Sequence, residues 1–271
     1  MSLDFLVRRV KRGILDTIAW AGYDVEKVPA TIRRYRFLKR LRLGSDAFDD
    51  TKTILGGNVR CVFDVGAHVG QTAVRLAEQF REARIFSFEP DPDSYAKLQR
   101  LAEGCSRITA VNAAVGEADG AATFFVNRFD QTNSLMKTAP GAERHLVVQD
   151  GMVTEREIQV PVLTLDRFCA ERQIDRIDLL KLDTQGYELQ VLDGARGLLS
   201  RVAVPLIYLE VSFVRYYDGQ PLFPEVYQYL YDRGYRMVWL YESGYQTHVY
   251  SVGANGLFVH ESLGSREARL R

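Results

Sequence analysis

From Asn58 onward, short apolar runs alternate with stretches whose apolar positions recur every three or four residues. Strands buried on both faces read as continuous apolar runs, and the helices that cover them read as amphipathic periods. The strands predicted in this way are "VRCVFDV" (59–65), "ARIFSFEP" (83–90), "RITAVNAAV" (107–115), "RIDLLKLD" (176–183) and "VPLIYLEV" (204–211). Between them, "QTAVRLAEQF" (71–80) puts Ala73, Leu76, Ala77 and Phe80 on one helical face, and "DSYAKLQRLAE", "YELQVLDGARGLL" and "LFPEVYQYLYDRG" read as further helices. "AATFFVN" alternates as an additional strand, and "EIQVPVLTLDRFCAERQ" reads as a strand running into a helix at Thr164. "YRMVWL" and "GLFVH" form a closing antiparallel pair. The alternation predicts an open, mostly parallel, Rossmann-like α/β sheet of seven strands with helices on both faces.

Two segments fall outside this pattern. Residues 128–156 are polar, contain glycine and show no clear period; a connection that long in a compact domain is either functional, here as a lid over substrate, or a mobile surface insertion. Residues 1–42 carry eleven Lys and Arg against Asp4, Asp16, Asp24 and Glu26, and Leu3, Val7, Val10, Ile14 and Ile18 recur at helical steps. A basic amphipathic helix of this kind suits the main domain, a second copy of the chain in a homo-oligomer, or an anionic membrane surface. The expected organisation is a basic helical N-terminal extension over 1–57 and one domain over 58–271.

Composition narrows the classes further. Thirty-five basic and 35 acidic side chains cancel over 271 residues, so nothing global steers the chain toward nucleic acid. Cys61, Cys105 and Cys169 are widely spaced and form no CxxC pair, which argues against a disulfide framework or a zinc site and for a reducing, cytoplasmic setting. No apolar stretch approaches the ~18–20 residues that span a bilayer, so any membrane contact would be peripheral, at the inner face.

In sheets of this type ligands gather at the carboxyl ends of the strands. The residues ending the predicted strands are Asp64, Glu89, Asn112, Asp183 and Glu210. The turn after the first strand, D-V-G-A-H-V-G, has Gly66 and Gly70 but places Ala67 and His68 where a dinucleotide fingerprint has its second glycine. That glycine lets the backbone approach a pyrophosphate. A cofactor without phosphates does not need it, which turns the reading from an NAD(P)-dependent oxidoreductase toward S-adenosylmethionine (SAM). A helix N-terminus receives SAM's carboxylate, Asp64 would neutralise its ammonium, and Glu89 would accept from its ribose hydroxyls. Asn112 would approach the adenine edge, and His68 would touch the cofactor.

With these residues in place, the chain resembles the FkbM-type family of SAM-dependent methyltransferases over about residues 58–260. The resemblance runs through "VFDVGAHVGQTA", "FSFEPDPDSYAKL", "VNAAVGEADG", "NSL" (133–135), "LTLDRF", "IDLLKLDTQGYELQVLDGA" and "LEVSF". It implies a class I methyltransferase fold, SAM as methyl donor, and O-methylation of a hydroxyl on a sugar, glycan or secondary metabolite. A common family pattern, D-x-E-G-x-E, stands here as Asp183-Thr184-Gln185-Gly186-Tyr187-Glu188, which removes an acid at position 185.

Methyl transfer to a hydroxyl needs an aligned acceptor and a group to take its proton. Asp183 and Glu210 are the expected catalytic carboxylates. Lys181 shares the face of Asp183 and, with Gln185, Tyr216 and Tyr217, is expected to contact the acceptor, Tyr216 and Tyr217 as stacking rings beside Arg215. Asp183 and Glu210 could instead share Mg²⁺, although no dense carboxylate cluster calls for a metal. A non-catalytic SAM-binding scaffold at a membrane surface is a third reading of the same residues.

Overall fold

The computed structural model describes residues 43–145, 150–244 and 250–264. Contacts divide the chain into Met1–Arg42 and Leu43–Arg271, so the amphipathic pattern expected over 1–42 lies outside the described residues. The second unit begins earlier than the expected boundary at residue 58. Helix α1 (Ala47–Ile54), capped by Asp46 accepting from Phe48 N and Asp49 N, buries Ala47 and Phe48 in the same cluster as Leu76, Phe80 and Tyr208.

The main sheet has the strands β1 (Cys61–Val65), β2 (Arg84–Phe88), β3 (Ile108–Val111), β7 (Leu179–Leu182), β8 (Leu206–Ser212), β9 (Tyr235–Gly244) and β10 (Gly253–His260). Their spatial order is β3-β2-β1-β7-β8-β10-β9. β1, β2, β3, β7 and β8 run parallel, while β10 is antiparallel to both β8 and β9. Every residue of β1 and β7 is buried. Side chains alternate between two cores, as the pleat requires. Phe63, Phe88, Leu180, Leu182 and Ile207 face one core, which also holds Phe168, Val191, Leu198 and Leu230. Val62, Ile85, Leu179 and Leu206 face the other, packed with Ala73, Leu76, Ala77 and Leu98. These come respectively from α4 (Leu165–Glu171), α5 (Glu188–Asp193), α6 (Arg196–Ser200) and α7 (Phe223–Asp232), and from α2 (Gln71–Gln79) and α3 (Pro92–Glu103). The chain ends its described part in a short turn of helix, α8 (Glu261–Gly264).

Three departures from the sequence pattern matter to the site. "RITAVNAAV" is two strands, because the chain turns after Val111 and Asn112 Nδ2 donates to the Glu89 carbonyl at 2.9 Å. The second piece, β4 (Ala114–Val115), leaves the main sheet and pairs with β6 (Thr154–Leu163), which pairs in turn with β5 (Gly120–Asn127). "YELQVLDGARGLL" breaks into α5 and α6 around Gly194, where an added Cβ would lie 2.0 Å from the Gly116 carbonyl oxygen. The described part of the connection at 128–156 is not shapeless. It holds short 3₁₀ turns at Asp130–Thr132 and Ala142–His145 and bridges Phe125 to Ser134 and Thr138 to Tyr217.

Candidate active site

The parallel strands converge on one cavity of about 330 Å³ at their carboxyl ends. Its floor is set by strand register. Asp64 on β1 and Lys181 on β7 are Cα partners, and Lys181 Nζ lies 2.9 Å from Asp64 Oδ1, 2.9 Å from the Gly66 carbonyl and 3.6 Å from Asp183 Oδ2. Asp64 is fully buried and Lys181 is 5% exposed. Burial pushes the Asp64 carboxyl up and the Lys181 charge pulls it back; burial alone would lower the Lys181 ammonium, and the facing Asp64 and Asp183 leave it raised.

Asp64 is not among the residues lining the cavity; its carboxylate pairs with Lys181 beside the turn. Lys181 does reach the wall, but its ammonium is already held by Asp64 and the Gly66 carbonyl, so it acts on the turn before any acceptor.

The turn itself is stapled to β2. Gly66 N and Ala67 N donate to the Phe88 carbonyl at 3.1 and 3.0 Å, and His68 N donates to Glu89 Oε2 at 2.8 Å. Gly66 has φ +75°, and a Cβ there would stand 1.8 Å from the Asp183 carbonyl oxygen; only glycine lets β1 leave the sheet against β7. Gly70, at φ +95°, caps α2 without a side-chain hydrogen bond, and Gln71 and Thr72 of that uncapped first turn line the cavity.

Glu89 enters the cavity beside them. It accepts from His68 N and from Asp91 N, and burial pushes its carboxyl up to about 7 against the pull of those two amides. Phe88, Pro90, Ala113, Ala114, Val115 and Phe124 give the same region an apolar wall. An uncapped helix start, a buried carboxylate and an apolar slot, set side by side, fit the carboxylate, ribose and base of SAM. Asn112 is not part of that wall: its amide is spent on the Glu89 and Pro90 carbonyls at 2.9 and 3.3 Å. His68 does line the cavity, and its Nε2 lies 3.1 Å from Asp130 Oδ2.

On the opposite wall stand Asp183, just past β7, and Glu210, on β8. One amide spans them: Gln185 Nε2 donates to Asp183 Oδ1 at 2.8 Å and to Glu210 Oε2 at 2.9 Å. The Gln185 carbonyl Oε1 accepts from Tyr217 Oη at 3.0 Å, which fixes which end of the amide faces the acids. Gln185 therefore orients the two carboxylates. Burial pushes the Glu210 carboxyl well above its usual range, and the charges of Asp183 and Glu188 add to this while Lys181 opposes. Asp183 keeps 42% of its side chain exposed.

The sharp turn at 183–188 is stitched by Glu188, whose Oε1 accepts from Thr184 N at 2.9 Å and Thr184 Oγ1 at 3.0 Å. The Gln185 amide lies between Asp183 and Glu210, and among the described residues no group of three or more His, Cys, Asp or Glu side chains is arranged to hold a metal.

Tyr217 is not the exposed ring the sequence suggests. It is buried, and its hydroxyl bonds to Gln185 and to the Thr132 carbonyl at 2.9 Å. Tyr216 is half-buried and borders a neighbouring cavity. Arg215 turns to the Gln220 carbonyl at 3.0 Å. Sequence reasoning missed Asp130, Gln131, Asn133 and Leu135, which line the main cavity from the 128–156 segment, and Asn255 from β10. Of these only Asn133 and Leu135 fell within a recognised motif, "NSL".

Strand order with a reversed β10 between β8 and β9, a glycine turn after β1 and an acid closing β2 define a class I methyltransferase fold. The Methyltransferase FkbM domain matches residues 64–237, and the chain belongs to that family. Among characterised relatives it is 27% identical over 162 residues to the 2-O-methyltransferase NoeI of Sinorhizobium fredii, a match covering 59% of this chain and 66% of that protein. It is also 27% identical over 146 residues to Methyltransferase 1 of Beauveria bassiana, covering 49% and 57%. The matched region thus spans just under two thirds or less of these relatives' length. A solved structure of methyltransferase FkbM from Methylobacillus flagellatus is 17% identical, with a TM-score of 0.46 over 83% of this chain and 59% of that one.

Proposed function

We propose that this chain is a SAM-dependent O-methyltransferase that methylates a hydroxyl of a sugar, glycan or secondary metabolite. One observation carries the reading: the carboxylates Asp183 and Glu210, spanned by a single amide, form one wall of the cavity that Glu89 and the uncapped start of α2 enter from the other. The relative named a 2-O-methyltransferase supports the chemistry.

SAM supplies a methyl group already activated by its sulfonium. The protein's own share is to hold the acceptor in line and to take its proton, effects worth ~7–11 kcal/mol for alignment in favourable systems and ~10²–10⁴-fold for a positioned base. Glu89 holds the ribose hydroxyls, and the first turn of α2 holds the carboxylate. Glu210, whose carboxyl burial pushes well above its usual range, stands beside the acceptor as the more deeply buried acid. Asp183, the more exposed of the two acids, accepts the proton from the acceptor hydroxyl.

Family membership leaves the oxidoreductase reading without support. For residues 1–42 the reading rests on sequence alone: the basic amphipathic period fits contact with an anionic membrane surface or with a second copy of the chain. Among the described residues no helix is long and apolar enough to cross a membrane.

The test is calorimetric titration with S-adenosylhomocysteine (SAH) and, in parallel, NADH, using wild type and Glu89→Ala. SAH binding that weakens in the variant, with no NADH binding, is the expected result. Well-folded protein that takes up NADH and ignores SAH would overturn the assignment.

A further inference from the structure

A second cavity of about 200 Å³ adjoins the first, and Gln185, Glu210 and Asn255 line both. It lies on the far side of the carboxylate pair from Glu89, between the end of β8, the start of β10 and the 212–220 segment. Its remaining wall includes Tyr216, Ser212 and Glu242. Tyr216 is held in place by its own backbone, since Gln220 Oε1 accepts from Tyr216 N at 2.8 Å.

We propose that this second cavity is the acceptor subsite of the methyltransferase reading above, on which it rests, and that it takes an uncharged hydroxylated ring and rejects acceptors bearing phosphate or carboxylate.

Three features converge on that chemistry. The half-buried ring of Tyr216 offers an apolar face, which suits the C–H face of a sugar ring. Asn255 and Ser212 offer amide and hydroxyl groups for hydroxyl partners; Asn255 Nδ2 already donates to Glu242 Oε2 at 2.9 Å, which leaves its carbonyl as an acceptor. Above all, the described lining residues include the acids Glu210 and Glu242 and no Lys, Arg or His. The nearest cation on Glu242 is Arg75, 4.0 Å from its Oε1, and Arg75 does not line the cavity. An anionic acceptor would find no cation among these lining residues and would meet the Glu242 carboxylate, with Asp183 in the adjoining cavity beyond. A neutral polyol meets only hydrogen-bond partners, and its reacting hydroxyl, seated here, points past the shared Gln185 and Glu210 toward Asp183 in the first cavity.

The experiment is calorimetric titration of SAH-loaded protein with neutral methyl glycosides (methyl glucoside, methyl mannoside and methyl rhamnoside), with glucuronate and with glucose 1-phosphate, in wild type, Tyr216→Ala and Glu242→Gln. At least one neutral glycoside should bind, with each anion at least about tenfold weaker. Tyr216→Ala should weaken glycoside binding by about tenfold, the factor that ~1.4 kcal/mol represents, without changing SAH affinity. Glu242→Gln, which keeps the shape and removes a charge, should narrow the gap between glycoside and anion.

Equal or tighter binding of the anions would overturn the proposal, and so would SAH-loaded protein that binds none of the neutral glycosides. Glycoside binding unmoved by both variants would place the acceptor elsewhere. Failure of SAH to bind at all strikes the donor site and the functional assignment itself, a different result from any of these.

Discussion

Lys181 Nζ lies 2.9 Å from Asp64 Oδ1, and the two residues are direct partners across β1 and β7. Two charges so deeply buried are tolerated because each compensates the other, and removing one partner strands the other in a low-dielectric site. Lys181→Met should therefore cost about 3–5 kcal/mol of folding stability, read as a lowered urea midpoint. Asp64→Leu in the same protein should restore much of the loss. A double variant no more stable than Lys181→Met would show that the lysine's bond to the Gly66 carbonyl, rather than the ion pair, is what the strand ends require.

Glu89 makes the donor site pH-dependent. Its carboxyl, raised by burial to about 7, is protonated below that value in the free protein, while ribose hydroxyls donate best to the ionised form. SAH affinity should then fall as pH drops through 7, by up to about tenfold per pH unit, with proton release seen in buffers of different ionisation enthalpy. Glu89→Gln should bind more weakly and show a flat profile over the same range. The stability linkage has the opposite sense. Because the folded pKa lies above the unfolded value, the contribution of Glu89 is full below about 4.5 and is lost as pH rises toward 7.

The amide of Gln185 orients the acids, so its loss should appear in turnover rather than in donor affinity. Gln185→Ala should lower methyl transfer by roughly 10²-fold, the lower end of what a positioned base supplies, with SAH affinity unchanged. Tyr217→Phe removes the hydroxyl that fixes the amide and should act in the same direction at about 1 kcal/mol, the worth of one hydrogen bond. Equal losses of SAH binding and turnover in Gln185→Ala would point to a collapsed strand end instead.

Gly66→Ala tests the turn. The added methyl would overlap the Asp183 carbonyl at φ +75°, so this variant should lose SAH binding and bring the Asp183 backbone out of place. Near-native SAH affinity in Gly66→Ala would show that β1 and β7 need not approach so closely.

The sheet was legible because its central strands are buried on both faces, so "CVFDV" and "LLKL" have almost no polar residue to mislead the reading. The polar residues they do contain, Asp64 and Lys181, are the pair on which the site rests, and here local pattern fails. The two are far apart in the chain, and only register brings them together. The same holds for the described part of the 128–156 segment. It has no period because its shape comes from remote partners, such as Tyr217 Oη on the Thr132 carbonyl and Ser134 Oγ on the Gln185 carbonyl at 2.7 Å. Gln185 was visible as a departure from an acidic pattern; its hold on both carboxylates depends on Glu210, which arrives on another strand.

Strand β10 follows β9 in the chain yet lies between β9 and β8. During synthesis β9 emerges while the edge of β8 is still bare, and the proper neighbour of both is not yet made. β10 closes the sheet by pairing with both β8 and β9, and Asn255, which touches both cavities, comes with it. A chain ending before Gly253 would thus carry most of both linings while lacking Asn255, the β10 residue that touches the two cavities together.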